Sequence, residues 1–348
     1  MSSTLPHVRT RLTDVADQAN VSTATVSRVL NGKQGVSSQT RQAVLAALDM
    51  LGYERPEKLR ARAAGLVGLI VPELTNPVFP TFAQYIESML SVRGYTPLLC
   101  TQSPGGTTED EYVEMLLEHD VDGIVFVSGL HADTSASRER YHRLRSRGLP
   151  IVLINAFAEG VDAPAISSDD GAAMDLSVRH LVALGHRTIG LAIGPDRFVP
   201  AQRKVVSFAE NLRRHLGIAD AASHIVSTLF TVEGGQAAAG VLITSGHTAI
   251  VCGSDLMALG AIRAARARGL RVPEDISVVG YDDSPLMAFT DPPLTTVRQP
   301  ALAMGEAAVA TLVAEISGTR GLRTELLFHP ELIVRGSTGA APAAPVVA

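Results

Sequence analysis

Only two cysteines, Cys100 and Cys252, occur in the 348 residues, each inside an apolar strand-like run and without CxxC spacing. That pattern speaks against a disulfide framework or a cysteine-based zinc site and predicts buried thiols in a reducing compartment. Long hydrophobic runs are missing too. Although 46% of residues are hydrophobic, "LVGLIV" and "GIVFV" are too short to span a bilayer, so no transmembrane helix is expected. The start, "MSSTLPHVRTRLTDVA", has neither a continuous apolar segment nor a small-residue cleavage site, and so predicts a cytoplasmic protein with no secretory signal. Catalytic signatures are absent as well: no GxGxxG follows a strand, and there is no GxxxxGK[ST], HExxH or GxSxG. An enzyme reading has little to stand on, and neither cofactor nor metal is expected.

What is present begins with length, which exceeds the usual single-domain size and suits two or three domains. Charge is unevenly spread. Residues 1–64 carry nine basic and five acidic side chains, +4, which leaves −9 on the remainder of a chain whose net charge is −5. A small phosphate-binding module joined to a larger acidic body would show this asymmetry, as would an ordinary solvated basic face.

Within that module, "LTDVADQANVSTATVSRVLNG" reads as two short helices meeting at a tight turn. Thr13 or Asp14 is the expected N-cap of the first, which carries Val15, Ala16 and Ala19 on one stripe and ends at Asn20. Ser22 caps "TATVSRVL", whose Val26, Val29 and Leu30 face a partner, with Gly32 at the left-handed C-terminal position. Ser37 opens a third helix, "SQTRQAVLAALDMLGY", with Val44, Leu45, Leu48 and Leu51 at helical spacing and Gly52 as the stop. Three such helices make a helix-turn-helix module, or else an ordinary capped hairpin. In the first case the second helix lies in the major groove: Thr23 and Ala24 face bases, Ser22, Thr25 and Ser27 contact phosphates, and Arg28 reaches a guanine edge or a phosphate. Thr13, Asn31, Ser37 and Thr40 complete the candidate contacts.

The stretch from Leu12 to Tyr53 resembles the N-terminal headpiece of the LacI/GalR family of bacterial repressors, nearly residue for residue. The resemblance implies a homodimer that reads a near-palindromic double-stranded operator under control of a small ligand. It also implies that the linker "ERPEKLRARAAG" forms a hinge helix wedging a leucine into the minor groove. Arg62 stands where that leucine is expected, which leaves Leu59 as the apolar candidate.

From Leu66 onward, short apolar runs alternate with amphipathic stretches. The rhythm "LVGLIV", a helix over 79–93, "TPLLCT", a helix over 109–119, "GIVFVSG", a helix around 138–147 and "IVLIN" predicts a parallel sheet with covering helices. A second series, "AISSDD", "TIGLAIG", "HIVSTLF", "AIVCGSD" and "ISVVGYDD", predicts another. The fold class is therefore α/β: a three-helix headpiece over 1–56, a linker over 57–65, and a two-lobed, doubly wound body over 66–338 that resembles periplasmic binding proteins. Lobe 1 is placed at about 66–165 plus 294–322, lobe 2 at about 166–293 plus 323–338, and 339–348 reads as a disordered tail. The resemblance implies that the final helix and the strand "LLFHPELIVRGS" return across the hinge, as the family's do, and make both lobes discontinuous.

Strand ends offer a polar ligand cleft. Asp255 in "GSDLMA" and Asp282 in "GYDD" present carboxylates suited to paired sugar hydroxyls. Phe79 and Phe230 match family positions whose aromatic rings stack on the effector, with core packing as the alternative, Phe198 is a further candidate, and Asn155 matches a family position that supplies a polar contact. The family's ligand-clamping arginine is Lys204 here, with Arg203 beside it, and the usual Asn-Asp is Ser254-Asp255. Acidic pairs at strand-to-helix turns also cap helices, and His186 in "LGHRTIG" reads as a capping residue rather than a switch or ligand. The expected function is a sugar-controlled DNA-binding repressor, with a sugar-phosphate regulator as the runner-up. A pure sugar receptor would need an export signal in place of the helix-turn-helix.

Overall fold

The computed structural model describes residues 10–30, 35–53, 64–102, 105–321 and 323–343. The chain divides into two compact units with the main boundary between Gly65 and Leu66. In the first, α1 (Leu12–Gln18), α2 (Thr23–Leu30) and α3 (Ser38–Met50) enclose a small core of Val15, Ala16, Val26, Val29, Val44 and Ala47. The caps of α2 and α3 are those expected, with the Thr25 N–H donating to Ser22 Oγ (3.2 Å) and the Thr40 N–H to Ser37 Oγ (3.1 Å). Helix α1 starts earlier than expected. Arg11 is its N-cap, and Asp14, at the third helical position, accepts the Arg11 N–H at 2.7 Å, so the carboxylate closes the turn from inside the helix. Leu45, expected in the core, is 52% exposed because it sits beside the Val44–Leu48 stripe. Gly52 ends α3's turn at φ +58°, and Gly32 lies outside the described residues.

The second unit runs β1 (Gly65–Val71), α4 (Val78–Val92), β2 (Tyr95–Thr101), α5 (Glu109–Glu118), β3 (Gly123–Val127), α6 (Glu139–Ser146), β4 (Ile151–Ile154) and β5 (Ala165–Ser168). It continues with α7 (Asp170–Ala183), β6 (Ile189–Ile193), α8 (Val199–Leu216), β7 (Ile225–Ser227), α9 (Val232–Thr244), β8 (Ala249–Cys252), α10 (Asp255–Ala267) and β9 (Ser277–Asp282). Last come β10 (Thr295–Arg298), α11 (Ala301–Ile316), β11 (Glu325–Phe328) and β12 (Glu331–Ile333). Two sheets result, ordered β11-β5-β4-β3-β1-β2 in lobe 1 and β12-β10-β9-β8-β6-β7 in lobe 2. All described pairings are parallel except that between β10 and β12. Strands covered by helices on both faces must be apolar throughout, and β3, β4, β6 and β8 are buried along their whole length.

Strand pairing moves the expected lobe boundaries. β5 and β11 pair in register with each other in lobe 1 (Ile166 opposite Leu326), while β10 pairs with β9 in lobe 2 (Thr296 opposite Gly280). The chain therefore crosses between lobes near residues 169, 299 and 329 rather than at 165, 293 and 322. The stretch expected as one strand, "LLFHPELIV", is broken at His329 and Pro330 into β11 and β12 in different sheets, since proline cannot donate to a ladder. Part of the expected tail is fastened. The Gly339 N–H donates to Ser277 Oγ (3.0 Å) and the Ala341 N–H to Leu184 O (2.9 Å), while 344–348 lie outside the described residues. His186 serves this fastening: it is fully buried, with Nδ1 against Thr248 Oγ1 and Nε2 against Ser277 Oγ, both at 2.9 Å. Cys100 and Cys252 are buried free thiols, and burial pushes the Cys100 thiol up to about 11.

Candidate functional site

A cleft of about 550 Å³ opens between the lobes of the second unit, lined by the C-terminal ends of strands and the loops that follow them. This is where doubly wound sheets place ligands. Four non-glycine residues at those ends hold positive φ: Ser128 (47°) after β3, Asn155 (72°) after β4, and Asp282 (119°) and Asp283 (56°) at β9. Such conformations cost free energy and persist where surrounding contacts enforce them. Asn155 is fixed by its Nδ2–H donating to Ser128 Oγ at 2.9 Å.

Phe79, Phe198 and Phe230 form apolar walls of the cleft, with the Phe198 and Phe230 ring centroids 6.4 Å apart and tilted by 52°. Phe230 lies directly over backbone. A Cβ built on Gly194 would stand 2.0 Å from its Cε2, and one on Gly253 would stand 3.1 Å from its Cε1, so glycine at the ends of β6 and β8 makes room for the ring.

The polar floor is built on Asp170 and Lys204. Their buried side chains form an ion pair, and the Lys204 Nζ also stands 4.0 Å from the Tyr281 ring centroid, while the Tyr281 hydroxyl lies 3.4 Å from Asp170 Oδ1. Burial pushes the Asp170 carboxyl up, and Lys204 opposes that shift. Asp282 accepts the Gln299 amide at 2.6 Å and a second hydrogen bond from Asn76 of lobe 1, so one carboxylate joins both lobes and the crossover segment after β10. Burial, then the nearby Asp255 charge, raise its pKa well above the ordinary carboxylate value. Among the described residues lining the cleft, the cations are Lys204 and Arg197; Lys204 faces Asp170, and Arg197 Nε donates to Asp133 Oδ2 at 2.9 Å. Glu73 adds a further carboxylate to the lining.

Two residues expected at the ligand lie elsewhere. Asp255 is fully buried, with Oδ1 accepting Thr296 Oγ1–H (2.6 Å) and Oδ2 accepting the Ser284 N–H (2.7 Å), so both oxygens are occupied by the fold. Arg203 is held outside the cleft lining by Glu325, Nη1–Oε1 2.7 Å and Nη2–Oε2 2.8 Å. Ser254 does line the cleft, though its hydroxyl also caps α10 through the Met257 N–H at 3.3 Å. Sequence reasoning missed Asp170, Tyr281, Gln299, Asn76 and Arg197. Only Asp170 carried a signal, the "SSDD" pair, in which Asp169 turns out to cap α7 (Ala172 N–H to Oδ1, 2.9 Å) and its neighbour enters the cleft.

In the first unit, α2 carries Thr23, Ala24, Ser27 and Arg28 exposed along one side, opposite the buried Val26 and Val29. The Ser22 and Thr25 hydroxyls bond each other at 2.9 Å, and the Ser37 hydroxyl donates to Thr40 Oγ1 at 2.7 Å, so these four also set the helix starts. Thr13 is exposed on α1. Asn31, Leu59 and Arg62 lie outside the described residues.

Comparison with known proteins matches residues 11–56 to "Bacterial regulatory proteins, lacI family" and residues 178–338 to "Periplasmic binding protein-like domain". The chain is 61% identical over 336 residues to the HTH-type transcriptional regulator MalR of Streptomyces coelicolor, covering 96% of this chain and 98% of that protein. Among solved structures, the transcriptional regulator CelR–cellobiose complex is similar at 31% identity and TM-score 0.70, covering 94% of this chain and 100% of the other. The lac repressor dimer bound to operator and the anti-inducer ONPF is similar at 28% identity and TM-score 0.68, covering 95% and 99%.

Proposed function

Since the chain belongs to the LacI family of bacterial regulatory proteins, a DNA-binding transcriptional regulator and not an enzyme, we propose that it is a repressor whose operator affinity is set by a neutral sugar held in the cleft. The observation that carries the sugar reading is the pairing of both lining cations with carboxylates, Lys204 with Asp170 and Arg197 with Asp133. Among the described residues a phosphate would meet no uncommitted lining cation and would face the Glu73 carboxylate, whereas hydroxyls find acceptors and amide donors in Asp282, Asn155 and Gln299. The CH faces of a sugar ring suit Phe79, Phe198 and Phe230. The neighbour solved with cellobiose supports a disaccharide as the first candidate, and the cavity lies in the size range of small-ligand clefts.

On DNA, α2 enters the major groove with Thr23 and Ala24 at base edges, and Ser22, Thr25, Ser27 and Arg28 anchor phosphates or read a guanine. A second copy of the chain supplies the other half-site of a near-palindromic operator, as the operator-bound lac repressor dimer suggests. Thermal unfolding of the full chain with cellobiose, maltose, glucose and glucose 6-phosphate tests the effector class. A neutral sugar at about 100 times its Kd adds about 2.7 kcal/mol of stability and raises the melting temperature. Stabilisation by glucose 6-phosphate alone contradicts the reading.

A further inference from the structure

The loop after β3 runs from lobe 1 to lobe 2 beside the cleft, which its Ala132 and the contacted Arg197 both line. Its 3₁₀ turn, Leu130–Ala132, is held on lobe 1 by the Leu130 N–H donating to Glu109 Oε2 (2.8 Å) and by Arg138 Nη1 donating to Leu130 O (2.7 Å). Glu109 is itself buried between Tyr141 and Arg140. His131, fully buried, bonds Ile154 O through Nε2 at 3.0 Å. From this base Asp133 extends to lobe 2. One oxygen accepts the Ser135 N–H (2.9 Å) and hydroxyl (2.6 Å), which orients the carboxylate, and the other accepts Arg197 Nε at 2.9 Å. The backbone joins in: the Thr134 N–H and Oγ1–H both donate to Arg197 O, at 2.8 and 2.9 Å, and Asp133 stands opposite Phe198 in an antiparallel bridge. The Arg197 guanidinium lies 4.7 Å from the Phe198 ring centroid, and Phe198 is a wall of the cleft.

We propose that Asp133 and Arg197 form a clasp between the lobes that shuts the cleft mouth and positions Phe198, so that the clasp sets how slowly a bound sugar leaves. This rests on the cleft being the effector site. The Arg197 side chain is 52% exposed, so its ion pair, screened by water, contributes little stability by itself. Its consequence is geometric: separating the lobes at this point breaks the Asp133–Arg197 bond, both Thr134 bonds and the Asp133–Phe198 bridge together. Entry requires the open arrangement in any case, so the clasp acts on departure more than on arrival. Arg197 is thus a positioning residue acting through Phe198.

The test uses the full chain, wild type and the variants Asp133→Ala, Asp133→Asn and Arg197→Ala, each first checked for an intact thermal transition. Hydrogen exchange at the Thr134 amide needs no sugar. The clasp predicts about tenfold faster exchange in Asp133→Ala than in wild type, and equal rates overturn it. Stopped-flow binding of whichever of cellobiose, maltose or glucose stabilises the chain is then compared. The expected result is a dissociation rate raised about 5–20-fold in Asp133→Ala, an association rate within about twofold of wild type, a smaller rise in Asp133→Asn, which keeps an acceptor oxygen, and the largest in Arg197→Ala. Faster exchange with an unchanged dissociation rate also overturns the proposal. Should none of the three sugars bind, the sugar reading fails and the exchange rate alone decides the clasp.

Discussion

Arg203 on α8 and Glu325 on β11 form a two-pronged ion pair, 2.7 and 2.8 Å, that joins lobe 2 to an edge strand of lobe 1 outside the cleft lining. The arginine that sequence places beside a ligand is therefore committed to a partner 122 residues away. Both groups are partly exposed, so the pair is weak in water. Arg203→Met is expected to leave the Kd for a bound sugar within about threefold, measured by titration calorimetry. A loss beyond tenfold would return Arg203 to the site.

Lys204 behaves differently because its partner Asp170 is buried with it. Lys204→Met leaves an uncompensated carboxylate and should cost about 3–5 kcal/mol in urea unfolding at neutral pH, whereas Lys204→Met with Asp170→Asn should recover most of that. In the single variant Asp170 has its pKa raised further above its unfolded value by burial. Its folded form then binds a proton more readily than the unfolded chain, so the deficit shrinks as pH falls and grows as pH rises. A pH-independent deficit would contradict this.

Gly194→Ala places a methyl group on the Phe230 ring, which must move. The expected outcome is a destabilisation of about 1–3 kcal/mol and at least tenfold weaker sugar binding, since the displaced ring no longer lines the cleft. Wild-type sugar affinity in this variant would remove Phe230 from the site.

Burial, with the Arg138 charge as a smaller contribution in the same direction, pushes His131 down to about 4. The unfolded chain protonates this histidine near its ordinary 6.5, so stability is lost as pH falls from about 6.5 towards 4. His131→Gln does not titrate and should show a shallower acid slope, by up to about 1.4 kcal/mol per pH unit. Urea midpoints at pH 7, 6 and 5 check it. Parallel slopes for the two proteins would show that His131 is protonated alike in both states.

Local signals carried much of this molecule. Ser22 and Ser37 announce two helix starts, and the apolar runs of β3, β4, β6 and β8 announce doubly covered sheets. Legibility ended where an answer depends on distant partners. Nothing near Arg11 marks it as a cap, because the closing group is Asp14 inside the helix. The side to which β5, β10 and β11 belong is decided by strand pairing, and no residue within them encodes it. Asp255 read as a ligand acceptor because its occupants, Ser284 and Thr296, arrive from 29 and 41 residues away. Arg197 was invisible for the same reason, its carboxylate lying 64 residues earlier in the other lobe.

The most direct measurement is fluorescence anisotropy of the full chain on a labelled duplex selected from random-sequence DNA, titrated with the sugar that stabilises the chain, for wild type and Asp282→Asn. An effector acts only through its different affinity for two arrangements of the protein, so the sugar must shift wild-type operator affinity. Asp282→Asn replaces one acceptor oxygen of the buried carboxyl by an N–H donor and leaves a ligand hydroxyl without its partner, a loss of about 1–3 kcal/mol, and the half-effective sugar concentration should rise roughly tenfold or more. A sugar that binds yet leaves operator affinity unchanged, or an equal half-effective concentration in both proteins, would contradict the account.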